Sequence, residues 1–399
     1  MDQSLKVVEL PQSLCNGMSR ACRAVLFKIL YIWRSIKVPR YGLRRIAGVG
    51  LVELMIAMAL AMVLMLGIIQ VYIPSLKTND VNRGVSQVQE KARYLTQILA
   101  KDIRMAGYSG CMTRADIEVD NVLNHAGSAA WEYENDLYSI LVNGTLPTGG
   151  AGIPNLNSLL ASDATPTDGN SLLLFSSAIG DAISLLPPKQ GANLTVSDNG
   201  DTSRACSGGG NSIGGFCIGD IVMLADCSKA KIFQATNVNI VASNVRIEHA
   251  ASGTPGNSTT SWGDNTGDLY SGDSELIRKT TLTYFVANNV DGVSSLFRKS
   301  DNDTALELAS NVYSFRTLYG VDTVGQKQVT VYQDEASVSN WDDVISVRIE
   351  LLIGSDETGL LDEPQRFSLN FGNQAEAAMA DTRYYQMVRS TVVLRNRTF

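Results

Sequence analysis

The sequence has little histidine, little charge and little proline, and each shortage excludes a class of protein. Its 399 residues include only two histidines, which rules out a metal site built on three imidazoles and argues against a zinc hydrolase. Charged residues make up 18% and hydrophobic residues 45%, a composition too apolar for a disordered chain. Ten prolines beside 34 glycines exclude a collagen or a proline-rich stalk and favour a folded chain with many tight turns.

The charge is divided unevenly along the chain. Residues 1–48 carry nine Lys and Arg and two acids, whereas residues 49–399 carry 24 basic and 38 acidic residues. A basic head followed by an acidic body is typical of a chain whose start stays in the cytoplasm. The net charge of −14 on the body argues against direct nucleic-acid binding.

One apolar run, Val49 to Ile73, dominates the sequence. As a helix it would span roughly 37 Å, which is enough to cross a bilayer with some tilt. Arg44 and Arg45 precede it, so the positive-inside rule places residues 1–48 in the cytoplasm. No small-residue cleavage pattern follows the run, so we expect it to be retained. The sequence therefore predicts one membrane pass and an exported bulk.

Glu53 is the one charged residue in this run and stands at its fifth position. An acid at the bilayer centre costs about 2.5–3.5 kcal/mol, so such residues usually have a partner; an interfacial position without a partner is the alternative. The sequence around Glu53 follows a pattern: two arginines, then Gly48, then an apolar run with Glu as its fifth residue. This pattern resembles the class III signal of type IV prepilins, which a prepilin peptidase cuts after the Gly and then methylates.

The resemblance implies a cut between Gly48 and Val49, with Val49 as the methylated N-terminus. It also implies that Glu53 pairs with the new amine of a neighbouring subunit. Val49 and Gly50 depart from the common form, which has Phe or Met followed by Thr or Ser. No catalytic residue, metal site or cofactor is implied, and no motif of a hydrolase or a nucleotide-binding loop is present.

Beyond the apolar run, Pro74 is expected to end or kink the helix. An apolar stripe then recurs at alternating spacings of four and three, which predicts an amphipathic helix to about Ala106 with a stop at Gly107. The stripe consists of Val81, Val85, Val88, Ala92, Leu95 and Leu99. The predicted organisation is a leader over 1–48, a membrane helix over 49–73, its amphipathic continuation over 74–107 and a β-rich exported head over 108–399.

The head is predicted to contain many strands separated by long loops, notably 144–169 and 252–272. The predicted strands are Ser171–Ser177, Asp220–Ala225, Ala230–Ala235, Val238–His249, Leu276–Val286, Ser294–Lys299, Val312–Tyr319, Gln328–Gln333, Val344–Ile353, Arg366–Asn370 and Tyr385–Leu394. A long N-terminal helix packed on an antiparallel sheet gives an α+β fold class, pilin-like in outline.

Several later segments are similar to minor pilins of the PilW family. They are the helix exit Asp102–Cys111, the stretch Gly219–Cys227, the strand Val344–Leu352 and the ending Val393–Arg397. The resemblance implies a minor pilin that takes part in pilus assembly or initiation, in a tip or priming complex. It implies the inner membrane as the location before assembly, with a periplasmic head, and the extracellular fibre afterwards.

The partners implied by this resemblance are the prepilin peptidase, other minor and major pilins, and a tip adhesin. A type II secretion pseudopilin of the GspJ kind shares the same N-terminal signal and an α+β head, so it is the nearest alternative. An exposed tip adhesin or a DNA-uptake pilin that uses the long loops is a further alternative.

Four cysteines fall in the exported part, where disulfides persist: Cys111, Cys206, Cys217 and Cys227. A glycine-rich turn between the middle two favours a local bridge and leaves the outer two to pair, although the other connectivities stay open. A four-cysteine zinc site is the alternative, which the lack of any C-x-x-C spacing disfavours.

Two acidic clusters are candidates for calcium, although solvated turns explain them better because neither has the spacing of a calcium-binding loop. One cluster consists of Asp264, Asp268, Asp273 and Glu275, and the other of Asp301, Asp303 and Glu307.

Overall fold

The computed structural model describes most of the chain from Gly50 onward. The described residues are 50–108, 118–124, 137–150, 153–161, 163–187, 193–206, 208–226, 228–258, 270, 273–301 and 303–398. By its internal contacts the chain divides into two compact units, Met1–Tyr72 and Ile73–Phe399. The second unit contains all the strands of the described residues, and the part of it that follows α1 is called the head below.

One helix, α1, runs over Leu51–Arg104. Pro74 lies inside α1, so of the two expected outcomes the end of the helix is wrong and the kink stays a prediction. A proline in a helix interior removes one hydrogen bond, and the apolar and amphipathic turns on either side are long enough to continue the helix across that loss. The predicted stop at Gly107 is observed, because Gly107 has a positive φ of 69° and its N–H donates to the Ser176 carbonyl at 3.0 Å.

The second half of α1 buries its apolar stripe against the head. Val88, Leu95 and Leu99 are fully buried, and Ala92 is 6% exposed. The charged residues on the other faces, such as Glu90 and Arg93, are exposed. Each buried Val or Leu side chain contributes about 1.5–3 kcal/mol of transfer free energy, so the stripe fixes which face of the helix meets the sheet.

The strands are short in the first part of the head and long in its centre. In chain order they are β1 Glu118–Asn121, β2 Leu137–Leu141, β3 Thr148–Gly150, β4 Ile153–Asn155, β5 Ser171–Leu186, β6 Asn193–Ser197, β7 Ile221–Ala225, β8 Lys229–Gln234, β9 Asn237–Val241, β10 Asn244–Glu248, β11 Glu275–Asn288, β12 Ser294–Ser300, β13 Leu306–Ser310, β14 Val312–Val321, β15 Val331–Gln333, β16 Val344–Gly354, β17 Arg366–Phe367, β18 Ala377–Ala378 and β19 Tyr385–Val393. The described residues also contain two short helices, α2 Leu156–Leu159 and α3 Arg395–Thr398, and the 3₁₀ turns Trp341–Asp343 and Asn370–Gly372.

These strands form one large sheet and one smaller sheet, with two small two-stranded pairings beside them. The large sheet has the order β1-β8-β7-β11-β5-β6-β10-β9; off this path β12 pairs with β11, β13 pairs with β12, and β2 pairs with β5. The smaller sheet has the order β15-β14-β16-β19. The pairs are antiparallel except for β1 and β8, which run parallel.

The long strands β5 and β11 contribute to the two largest cores of the described residues. The end of β11 pairs with β12, and its beginning pairs with β7. The register of β11 on β5 shifts between Leu276 and Arg278, and β11 changes from one set of neighbours to the other farther along, between Lys279 and Leu282. The helix-side core packs the α1 stripe with β11, β12, β14, β16 and β19, and the second core packs β6 to β10. The observed fold confirms the α+β class.

Several strand predictions are corrected in detail. The segment Val238–His249 forms the hairpin β9–β10 rather than one strand, because Ala242 and Ser243 adopt positive φ values of 49° and 63° at a turn. The segment Arg366–Asn370 keeps only the two residues of β17 before a 3₁₀ turn begins. The predicted loop 144–169 contains β3, β4 and α2.

Candidate assembly interface

The N-terminal half of α1 is an apolar surface without cover. Every residue from Leu51 to Ile73 is exposed in the structure, with Leu51 at 76% and Val71 at 73%. The helix is long and apolar enough to cross a membrane, and none of its apolar window is buried. A core helix of a soluble protein would be mostly buried, so this surface requires an apolar partner such as lipid or other helices.

Glu53 lies in the first turn of α1. Its backbone N–H donates to the Gly50 carbonyl at 2.9 Å, which places the carboxylate beside the helix N-terminus. An acid in this position is favoured by the helix dipole, and it is the one charge between Leu51 and Ile73. Gly48 and Val49, the predicted cleavage and methylation residues, lie outside the described residues.

Asp102 ties the end of α1 to two strands of the head. The Tyr284 hydroxyl on β11 donates to Asp102 Oδ2 at 2.5 Å, and Arg298 Nε on β12 donates to the same oxygen at 2.8 Å. Burial, assisted by the Asp102 charge, raises the pKa of Tyr284, so the hydroxyl stays protonated and keeps donating. The carboxylate therefore holds the helix at a fixed register on the sheet.

Sequence reasoning missed this contact, although the sequence carries a signal for it. The stripe spacing of three and four continues beyond Leu99 to Asp102 and then to Ala106. An acid at a stripe position is expected to be buried, and a buried carboxylate needs hydrogen-bond donors. Asp102 is the one stripe position with a charge, and it is the one that binds Tyr284 and Arg298.

A strap formed by residues 355–362 runs along the middle of α1. Lys91 forms an ion pair with Asp356 at one end of the strap, and Lys77 forms one with Asp362 at the other. Between them Gly84 is buried, and a Cβ atom there would lie 2.5 Å from Leu360 Cδ1. Since the exposed ion pairs contribute little, the close approach at Gly84 and the burial of Leu360 carry the contact.

The chain ends near the point where α1 leaves the sheet. Asn396 Nδ2 donates to the Ala106 carbonyl at 3.2 Å, and Arg397 Nη1 donates to the Val344 carbonyl at 2.9 Å. Arg397 also donates to the carbonyl of Trp341. The helix exit, the start of β16 and the C-terminal turn are thereby joined in one place.

The structure pairs Cys206 with Cys217, with 5.6 Å between their Cα atoms, which is the local bridge that the glycine-rich turn favours. Cys111 and Cys227, the other predicted pair, lie outside the described residues. The first acidic cluster is also largely outside them, since of its members only Asp273 and Glu275 are described. No group of three potential metal ligands is found among the described residues, and Asp301 instead accepts hydrogen bonds from Thr280 and Thr281.

The C-terminal part of the head matches a family model. The model is PilW, described as type IV pilus-assembly protein W, and the matched residues are 283–396. This match supports the assignment of the chain as a PilW-family type IV pilus protein. The match begins near the end of β11 and includes Tyr284 and Arg298, the two head residues that hold α1.

No curated protein and no solved structure matches the chain. The PilW match supports a part in type IV pilus assembly, and the apolar helix α1 fits a membrane-anchored component of that machinery.

Proposed function

We propose that the chain is a minor pilin of the type IV pilus, cleaved after Gly48 by prepilin peptidase and methylated on Val49. The observation that carries the proposal is that one helix supplies both an uncovered apolar segment and a segment built into a head whose C-terminal part matches PilW. In this proposal the apolar segment anchors the protein in the inner membrane with a periplasmic head. After assembly it packs among other pilins inside the fibre.

The role proposed for the protein is stoichiometric contact in a tip or priming complex rather than turnover. The PilW match favours the pilus over the GspJ-like pseudopilin that shares the N-terminal signal. Other minor and major pilins are the proposed partners of the segment Leu51–Ile73, because that segment is apolar and uncovered.

Glu53 is proposed to pair with the N-terminal amine of a neighbouring subunit. Inside a bundle of helices water is scarce, so an unpaired carboxylate is costly and a pair is favoured at one stagger of the subunits. Glu53→Gln keeps the size of the side chain and removes the charge. We expect this variant to insert and to be cleaved normally, and to be depleted from the pilus fraction.

The experiment compares mature-sized protein in membranes with the amount recovered in sheared pili. Glu90→Gln is the matched control, since Glu90 is an exposed acid on the same helix outside the apolar run. Normal incorporation of Glu53→Gln would contradict the charge pairing. Equal loss in both variants would show that any lost charge on the helix disturbs assembly.

A further inference from the structure

A small pocket opens beside the second core, apart from α1. It is lined by residues of β5 and β11, by four residues between Asn199 and Arg204 and by residues 214–216, and its volume is about 160 Å³. Sites for drug-sized ligands measure roughly 300–1,000 Å³, so this pocket suits a smaller ligand. Its lining joins two cations, two acids and two isoleucines: Arg204, Arg278, Asp181, Asp201, Ile179 and Ile183.

Arg278 is the main cation of the pocket. It stands on β11, opposite Ile179 of β5 and Val222 of β7, so a central strand of the large sheet holds its backbone. The side chain is half-buried, and it makes no hydrogen bond or ion pair within the described part of the chain. Burial, followed by the nearby Arg204, lowers the pKa of Arg278, while Asp220, Asp301 and Asp303 act on it in the opposite direction. A guanidinium in this setting is prepared to take a planar anion as a bidentate partner.

The second cation is fixed by the disulfide loop. Arg204 forms an ion pair with Asp220, and Asp220 also accepts the Cys217 N–H at 2.7 Å. Arg204 Nε is buried and has no hydrogen-bond partner in the structure. The Cys206–Cys217 disulfide closes the loop that contains Gly214, Gly215 and Phe216, so this part of the pocket wall is held in place covalently.

The two acids decide what kind of anion fits. Asp201 Oδ1 accepts from the N–H of Ser203 at 2.9 Å and from its hydroxyl at 2.6 Å, and these hydrogen bonds lower the pKa of Asp201. Asp181 is exposed at the rim. Carboxylates repel a phosphate dianion more strongly than a single carboxylate anion, and they accept hydrogen bonds from hydroxyl groups. The half-buried Ile179 and Ile183 add an apolar wall for C–H groups.

We propose that this pocket binds a carboxylate-bearing sugar, such as a uronic acid. Arg278 would hold the carboxylate, Asp181 and Asp201 would accept from hydroxyl groups, and the isoleucines would contact the C–H face of the ring. The site would give a pilus-assembly protein a means of recognising acidic glycans. It stands on the second core and is independent of cleavage at Gly48 and of the pairing proposed for Glu53.

The test is equilibrium binding to the full-length protein in detergent micelles, followed by ligand-observed NMR and titration calorimetry. Three probes are compared: glucuronic acid, glucose and inorganic phosphate. We expect glucuronic acid to bind about tenfold or more tightly than either other probe, a difference that both methods resolve. Glucose binding as tightly as glucuronic acid, or phosphate binding more tightly, would overturn the proposal.

Variants locate the binding. Arg278→Gln is expected to weaken glucuronic acid binding about tenfold or more, as the loss of a charge-assisted bidentate pair requires. Arg246→Gln is the matched control, because Arg246 is a half-buried arginine on β10 that does not line the pocket. Unchanged binding in Arg278→Gln, or an equal loss in Arg246→Gln, would contradict the assignment.

Asp181→Asn keeps the proposal testable if Arg278→Gln fails to fold, since Asp181 is exposed. If Asp181 accepts from sugar hydroxyls, the variant weakens glucuronic acid binding. If the pocket is a plain anion site, removing an acid strengthens the binding of glucuronic acid and phosphate alike, and the proposal is wrong.

Discussion

Leu99→Ala tests whether the amphipathic half of α1 is part of the core of the head. Leu99 is 0% exposed and belongs to the helix-side core. Truncation of a fully buried leucine costs about 2–5 kcal/mol, the sum of lost transfer free energy and a residual cavity. A folded domain has only about 5–15 kcal/mol of stability, so this one change is expected to remove a large share of it.

The assay is urea unfolding of the full-length protein in micelles, followed by tryptophan fluorescence. The Trp341 ring lies 4.8 Å from the Tyr319 ring, which is buried in the helix-side core, so it reports on that core. With an m-value of about 3 kcal/mol/M, a loss of about 3 kcal/mol lowers the midpoint by about 1 M.

Leu76→Ala is the matched control on the same helix. Leu76 is 45% exposed, and surface substitutions usually change stability by less than about 0.5 kcal/mol. A Leu99→Ala midpoint equal to that of the parent, or an equal loss in the two variants, would refute the claim that the helix completes the core.

Three further outcomes are expected. Gly48→Val should leave full-length protein in the membrane on immunoblots, because the peptidase must fit a residue without a side chain; mature-sized protein in that strain would contradict the cleavage site. Gly84→Val should cost about 1–3 kcal/mol by overpacking against Leu360, in contrast to Gly67→Val, whose added Cβ meets nothing within 4 Å. Burial acts to raise the pKa of Asp381, but hydrogen bonds from Tyr385 and Arg383 outweigh it and lower the pKa below 3.8. The contribution of Asp381 to stability is therefore present above pH 3.8 and is lost as the pH falls through the lowered pKa. Asp381→Asn should therefore flatten the acid branch of the stability profile measured by urea unfolding from pH 6 to 3, and an unchanged branch would argue against this role.

Periodicity predicted the parts of the fold that depend on local spacing. The stripe from Val81 to Leu99 showed which face of α1 is buried, and the apolar strands around Met223 and Ile349 were located because burial on both faces leaves long apolar runs. The hairpin turn at Ala242 and Ser243 was missed, because neither residue is a usual choice for positive φ.

The tertiary contacts were harder to predict, because their partners are distant in the sequence. Asp102 lies 182 residues from Tyr284 and 196 from Arg298, so spacing alone predicts a buried acid without naming its donors. The pocket around Arg278 depends on a register shift in β11 and on a loop closed by a disulfide. Neither feature leaves a periodic trace in the sequence.

The position of the N-terminus in the assembled pilus tests the central claim most directly. Protein recovered from sheared pili should be analysed by intact mass and by sequencing from its first residue. We predict a mature chain that begins at Val49 with a methylated amine. A chain in the pilus fraction that still carries residues before Val49, or a cleaved chain that stays in the membrane and never enters pili, would contradict it.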